Sequence, residues 1–437
     1  MTAYNDSLET DNLETATPRK AGYVKVGLAS MIGTTIEWYD FFLYGSAAAL
    51  IFNKIFFPSF DPITGTLAAF ATYSVGFFAR PLGGIVFGHF GDRVGRKSMF
   101  ITTLFLMGIP TILIGLIPSY ESIGYWAAVL LVLMRLLQGL AVGGEWGGAV
   151  LMAVEHAPTG KKGLFGSLPQ AGVGPGLVLA SLAMLWVAVL PQQDMLTWGW
   201  RIPFLASVVL LLIGWYIRIR VSESPDFEKM EESGAKVKFP IVEIFRSHPL
   251  AVLKVVGARF AEVTWFYTVV TFALAYATTT LGIPKALMLE ATIWGALIAF
   301  FTMPALGMLG DRIGHKWVFI LGAIGIFLFG FTFFDLLATK QALWVNMAMI
   351  VAIGVVYAAM YAPEASLFSN QFPPEIRYSG ISIGVQLSGA IGGGLAPIVA
   401  IWLLSIGGGN PKYVTWYLCL LGIIALVSAW RMRAQAH

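Results

Sequence analysis

A chain of 437 residues that is 57% hydrophobic and only 12% charged cannot cover a water-soluble surface, since soluble domains carry about a quarter charged residues. The mean hydropathy is +0.75. The net charge of +4 comes from basic residues scattered between apolar blocks, which suits a membrane surface and argues against a nucleic-acid partner. The one cysteine, Cys419, excludes an intramolecular disulfide and a thiolate zinc cluster.

Residues 1–23 are polar and mixed in charge, without the basic-then-apolar order of a signal peptide, and read as a cytoplasmic tail. Runs long enough to span a bilayer, about 20 residues each, follow in two sets. The first holds Val24–Phe52, Ile63–Phe90, Met99–Pro118, Gly124–Ala149, Leu164–Leu190 and Ile202–Val221. The second holds Leu250–Thr279, Leu287–Leu309, Trp317–Ala338, Leu343–Phe368, Ile381–Ser405 and Tyr413–Met432. The expected architecture is an all-α polytopic membrane protein: twelve transmembrane helices in two pseudo-symmetric six-helix bundles, 24–221 and 250–432. A cytoplasmic linker at 222–249 joins them, and 433–437 form a second tail. Arg93, Arg96, Lys97, Lys161, Lys162, Arg312, Lys316 and Arg377 gather on the side of the N-terminus. The other side holds only Lys54, Arg201, Lys285, Lys340 and Lys412, so both termini are expected in the cytoplasm.

The two sets repeat. Gly88-His-Phe-Gly-Asp92-Arg93-Val-Gly95-Arg96-Lys97 returns as Gly307-Met-Leu-Gly-Asp311-Arg312-Ile-Gly314-His315-Lys316, so Asp92 and Asp311 are 219 positions apart. Pro158 and Pro373 are 215 apart, and Gln170 and Gln386 are 216 apart. With six spans per set, equivalent loops fall on one side of the membrane, as in parallel repeats.

At these residues the chain resembles the major facilitator superfamily, from about Val24 to Arg433. Gly88–Lys97 resembles the superfamily's motif between helices two and three, Arg135–Gly143 its fourth-helix motif, and Glu155–Gly163 the acidic–basic clamp of sugar porters. More narrowly, Glu37–Phe41, Gly143–Gly148, Trp198–Phe204 and Glu223–Pro225 are similar to the metabolite–proton symporter family. That resemblance implies uptake, with protons, of shikimate, oxoglutarate, citrate, aromatic acids or betaine-type osmolytes across a bacterial inner membrane. Asn370 and His315 depart from the pattern, standing where a glutamate and an arginine are expected.

An ionisable side chain in hydrocarbon costs roughly 3 kcal/mol or more and needs a reason. Glu37, Asp40 and Tyr44 share a face of the first span, and Arg135, Gln138 and Glu145 a stripe of the fourth. Asp40 and Arg135 lie about 18 and 16 Å from the outer ends of their spans at 1.5 Å per residue, so they can meet at one level. Asp40, with Glu37 as the alternative, is the expected proton site, and Arg135 its partner. Arg259 is the first candidate for an anionic substrate because a guanidinium forks onto a carboxylate. An internal pair with Glu262 is the competing reading. Tyr44, Gln138, Gln170, Gln386, Trp265, Tyr357 and Tyr361 complete the candidate cavity, with Glu364 one turn from Tyr361. Asp92, Arg93, Arg96, Glu155, Lys162, Asp311, Arg312 and Arg377 are expected to gate it, their carboxylates accepting from neighbouring helix N-termini. Topology signalling by positive charge alone would place the same basic residues there.

No nucleotide motif, metal pair or nucleophile–base cluster is visible, so no cofactor, metal or enzymatic activity is expected. The reading is proton-coupled symport of a small organic acid or zwitterion by a monomer. A uniporter or antiporter is the alternative, and a membrane sensor or enzyme a remote one.

Overall fold

The structure is a computed structural model that describes residues 16–94, 96–143, 145–146, 150, 153–154, 157–158, 160–219, 240–372 and 377–433. In chain order its long helices are α1 (16–55), α2 (Pro62–Val94), α3 (Arg96–Ile114), α4 (Trp126–Gly143), α5 (Lys162–Ala188) and α6 (Arg201–Ile219). They continue as α7 (Pro249–Thr279), α8 (Lys285–Ile313), α9 (His315–Ala338), α10 (Ala342–Ser369), α11 (377–406) and α12 (Lys412–Trp430). Among the described residues, eight of these (α4, α5 and α7–α12) are each long and apolar enough to cross a membrane, and α6 joins them with the bent segment before it.

The molecule exposes large apolar side chains and buries several charged ones within a largely apolar core. Leu82, Leu212, Phe301, Leu328, Trp402 and Leu420 are exposed, whereas Asp40, Arg80, Arg135, Glu262 and Glu364 are buried. That inversion belongs in lipid, where a charge is tolerated only in a protein-lined interior.

Helix pairing repeats between the halves. α1 packs on α5 and α6, α2 on α4, and α3 on α4 and α6; likewise α7 packs on α11 and α12, α8 on α10, and α9 on α10 and α12. Across the seam α5 meets α8 and α2 meets α11, again an exchange of equivalent elements. Small residues let the α2–α4 backbones touch: a Cβ on Gly139 would lie 2.0 Å from the Gly76 carbonyl oxygen, and one on Gly143 would lie 1.9 Å from that of Arg80.

The repeated motifs expected as loops are largely helix ends. α2 runs through Asp92 to Val94, and α8 through Asp311 to Ile313. Only Gly314, at φ 97°, separates α8 from α9. That left-handed turn suits glycine. π-helical turns interrupt α1 at Ala48–Phe52, α7 at Thr268–Phe272, α10 at Ile350–Tyr357 and α11 at Gly389–Gly393. Such turns re-aim side chains and recur near functional sites. Of the expected linker, Pro240–Ser247 is helical, and 222–239 lie outside the described residues.

Candidate functional site

The central layer of the first half is built on α1, α3 and α4. Asp40 and Arg135 sit at one level but do not touch directly. The Arg135 Nη1 donates to Gln138 Oε1 at 2.9 Å, Gln138 Nε2 donates to Thr111 Oγ1 at 2.6 Å, and Thr111 Oγ1 lies 2.9 Å from Asp40 Oδ2. Asp40 is 3% exposed and Arg135 0%. The Thr111 hydroxyl is also 3.0 Å from the Met107 carbonyl. With one proton to give, it donates either to an ionised Asp40 or to Met107 while accepting from a protonated Asp40. One heavy-atom geometry therefore serves both states.

Arg135 stacks over the rings of Tyr44 and Phe41, 4.1 and 4.7 Å from their centroids, and Tyr44 holds Thr72 at 2.7 Å. Glu37 lines a small crevice with Glu145, Trp146 and Gln170.

In the second half Arg259 is already taken. Its Nη1 binds the Glu364 carboxylate of α10 and lies 3.0 Å from Glu262 Oε2. Two carboxylates share one guanidinium, all three buried. The internal Arg259–Glu262 contact, the competing reading above, is thus present, extended by Glu364. Arg259 also faces Tyr361 and, across the seam, Trp146, at 4.9 and 5.6 Å. Tyr357 stacks on Tyr361 and Phe266. Trp265 points elsewhere: its indole donates to the Ala352 carbonyl at 3.0 Å, and it packs on Phe333 of α9.

Arg80, on α2, was not singled out from the sequence. It is 8% exposed and lies over Phe41 and Phe77 at 4.3 and 4.1 Å. An arginine within an apolar run is the same signal that marks Arg135, and it was there to be read.

The two halves are latched crosswise. Gln170 on α5 donates to the Tyr361 carbonyl on α10 at 3.2 Å, and Gln386 on α11 reaches the Gly143 carbonyl on α4 at 3.3 Å. At the same end Asp311 accepts from the Gly163 and Leu164 amides at 2.7 and 3.0 Å, capping α5 from the other half. Ser366 adds a bond to the Lys162 carbonyl at 3.0 Å, and His315 Nε2 lies 3.4 Å from Asp311. The Lys162 and Arg312 side chains are exposed. The Asp92, Arg93, Arg96, Glu155 and Arg377 side chains lie outside the described residues.

Residues 26–239 match the family described as "Sugar (and other) transporter", and residues 260–436 match the one described as "Major Facilitator Superfamily". A shikimate transporter of Escherichia coli (strain K12) is 41% identical over 94% of each chain. The chain belongs to the major facilitator superfamily. An inner membrane metabolite transport protein of the same bacterium is 38% identical, over 94% of this chain and 95% of its own. The crystal structure of a D-xylose–proton symporter superposes with a TM-score of 0.71 at 19% identity, covering 94% of this chain and 97% of that one, and shares the fold.

As a superfamily member the chain is a multi-pass membrane transporter of small molecules and not an enzyme. Its two halves meet here at both ends. At the Asp311 end the seam is polar, whereas at the far end the apolar turn Ala48–Phe52 of α1 meets Ala273–Thr279 of α7. Aromatic rings fill the middle, with Trp38 against Phe266 and Phe77 against Tyr267 at 6.0 and 5.0 Å. Among the described residues the two halves are thus in contact at both ends, around a middle that holds buried charges.

Proposed function

We propose that this transporter is a proton-coupled symporter of a small organic acid or zwitterion, in a bacterial inner membrane with both termini cytoplasmic. The relatives named above and the clustering of basic residues on the Asp311 side support that placement.

The observation that carries the coupling is the Asp40–Thr111–Gln138–Arg135 chain. Among the described residues no basic group lies within ion-pair distance of Asp40. A carboxylate in hydrocarbon without a direct counter-charge is costly, so it is neutralised by a proton or by an approaching guanidinium. In our reading the proton binds Asp40, the Thr111 hydroxyl turns toward Met107, and Arg135 is left for an anion. Losing the proton draws Arg135 back and expels the anion. The second half is arranged similarly: two glutamates on Arg259 are neutral as a triad with one proton bound and carry −1 without it.

Uptake of labelled acids and betaines into reconstituted vesicles, with an imposed pH gradient, tests this. We expect Asp40→Asn to lose accumulation against a gradient while keeping exchange. An Asp40→Asn protein that still concentrates substrate would show the proton to be carried elsewhere.

A further inference from the structure

Among the described residues the two buried arginines of the first half, Arg80 and Arg135, have no carboxylate within ion-pair distance, unlike Arg259. Nε and Nη2 of both likewise make no well-formed hydrogen bond among the described residues, nor do the hydroxyls of Tyr73 and Tyr267, although the Tyr267 hydroxyl lies close to both the Arg80 guanidinium and the Tyr73 hydroxyl. These four side chains form one cluster. Arg135 lies over Tyr73 at 4.9 Å, Tyr73 is 6.0 Å from Tyr267, and Arg80 and Arg135 both cover the ring of Phe41. Phe77 closes it, 5.2 Å from Tyr73 and 5.0 Å from Tyr267.

Buried donors without acceptors cost roughly 1–3 kcal/mol each and more when charged, so the cluster is built for something that only accepts. The groups also come from both halves: Arg80, Arg135 and Tyr73 from the first, Tyr267 from α7 of the second. Arg80 Nη1 lies about where a Cβ on Gly389 of α11 would meet it, 3.9 Å away. An anion held here therefore touches the seam that opens and closes.

We infer that Arg80, Arg135, Tyr73 and Tyr267 form the subsite for the substrate's carboxylate, and that it selects acids lacking a cationic group over betaine-type zwitterions. The selection follows from the rings. An aromatic cage binds a quaternary ammonium through its faces, but here the protein's own guanidiniums already cover Phe41, Phe77, Tyr44 and Tyr73. A further cation would meet two like charges, with those four ring faces already covered. Arg259, engaged by Glu262 and Glu364, is left as a coupling group.

This rests on the symport reading, and the test separates the two. Purified protein is titrated calorimetrically at mildly acidic pH with shikimate, methyl shikimate and glycine betaine, and the melting temperature of each variant is followed to monitor folding. The wild type is expected to bind the acid and to discriminate against the ester and the betaine. Arg80→Gln is expected to weaken acid binding roughly 10- to 100-fold, the loss of one or two charged hydrogen bonds. The acid-to-ester preference should then fall toward one. Arg80→Lys should fall between, because it keeps charge but not the fork, and Tyr267→Phe should lose about 5-fold. Wild-type affinity and acid preference in folded Arg80→Lys and Tyr267→Phe would overturn the subsite alone, as would betaine binding as tight as the acid. No saturable acid binding by the wild type would bring down the substrate reading and the subsite together.

Discussion

Replacing Asp311 by asparagine removes a charge and nothing else in volume. Its carboxylate accepts two backbone amides, Gly163 at 2.7 Å and Leu164 at 3.0 Å, at the first turn of α5. The two amides are met by different oxygens, Oδ1 and Oδ2, so an asparagine keeps one bond and turns its own NH2 toward the other N–H. The loss is that bond, the charge assistance and the favourable end of the helix dipole. Together these are worth about 2 kcal/mol in a partly buried setting, or roughly 30-fold in an equilibrium. The contact joins opposite halves, so the whole amount falls on the closed state. A closed-to-open ratio of about 30 at the Asp311 end would drop to about 1. Spin labels on cysteines at exposed Lys161 and Arg312 report this as a distance distribution. Cys419, the one native cysteine, is buried and stays silent. We expect a second, longer population in Asp311→Asn. A distribution superimposing on that of the parent, in a folded protein, would refute the argument that this carboxylate holds the end shut.

Thr111→Val removes the hydroxyl between Asp40 and Gln138 while keeping shape. Gradient-driven uptake should fall roughly 5- to 150-fold through loss of about 1–3 kcal/mol of hydrogen bonding, with a drop of a few degrees in melting temperature because Asp40 and Gln138 lose a buried partner. Arg259→Gln leaves Glu262 and Glu364 without their cation and should destabilise the protein by about 3–5 kcal/mol, seen as a large drop in melting temperature in detergent. Glu364→Gln keeps the Arg259–Glu262 contact and should cost less than half of that. Gln170→Ala and Gln386→Ala each remove one neutral seam bond, about 1 kcal/mol toward opening. Because the two bonds sit on different helix pairs, their effects on the label distances should add.

The twelve spans, the duplication and the family were legible because lipid imposes long apolar runs and the paired motifs survive at near-constant offset. Level within the membrane was legible too, since rise per residue fixes depth along a helix. Azimuth was not. Asp40 and Arg135 share a level, yet Thr111, on a third helix, stands between them, and nothing near Thr111 in the chain announces it. The grip of Glu364 on Arg259 joins residues 105 positions apart, and only the packing of α10 on α7 decides it. Gln170 and Gln386 stood out as a repeated pair; that they reach backbone of the opposite half follows from the seam. Arg80 could have been found by the rule already applied to Arg135.

The crosswise glutamines and the Asp311 cap make one end of the seam directional and hydrogen-bonded, while the other is greasy. Parting the first exchanges bonds for water and leaves little new apolar surface. Parting the second wets alanine, leucine and phenylalanine, the kind of exposure that raises heat capacity. The two half-cycles should thus respond differently to temperature: the step opening the far face should curve in an Eyring plot, and the step opening the Asp311 face should run nearly straight. The protein carries a thermometer on one door only.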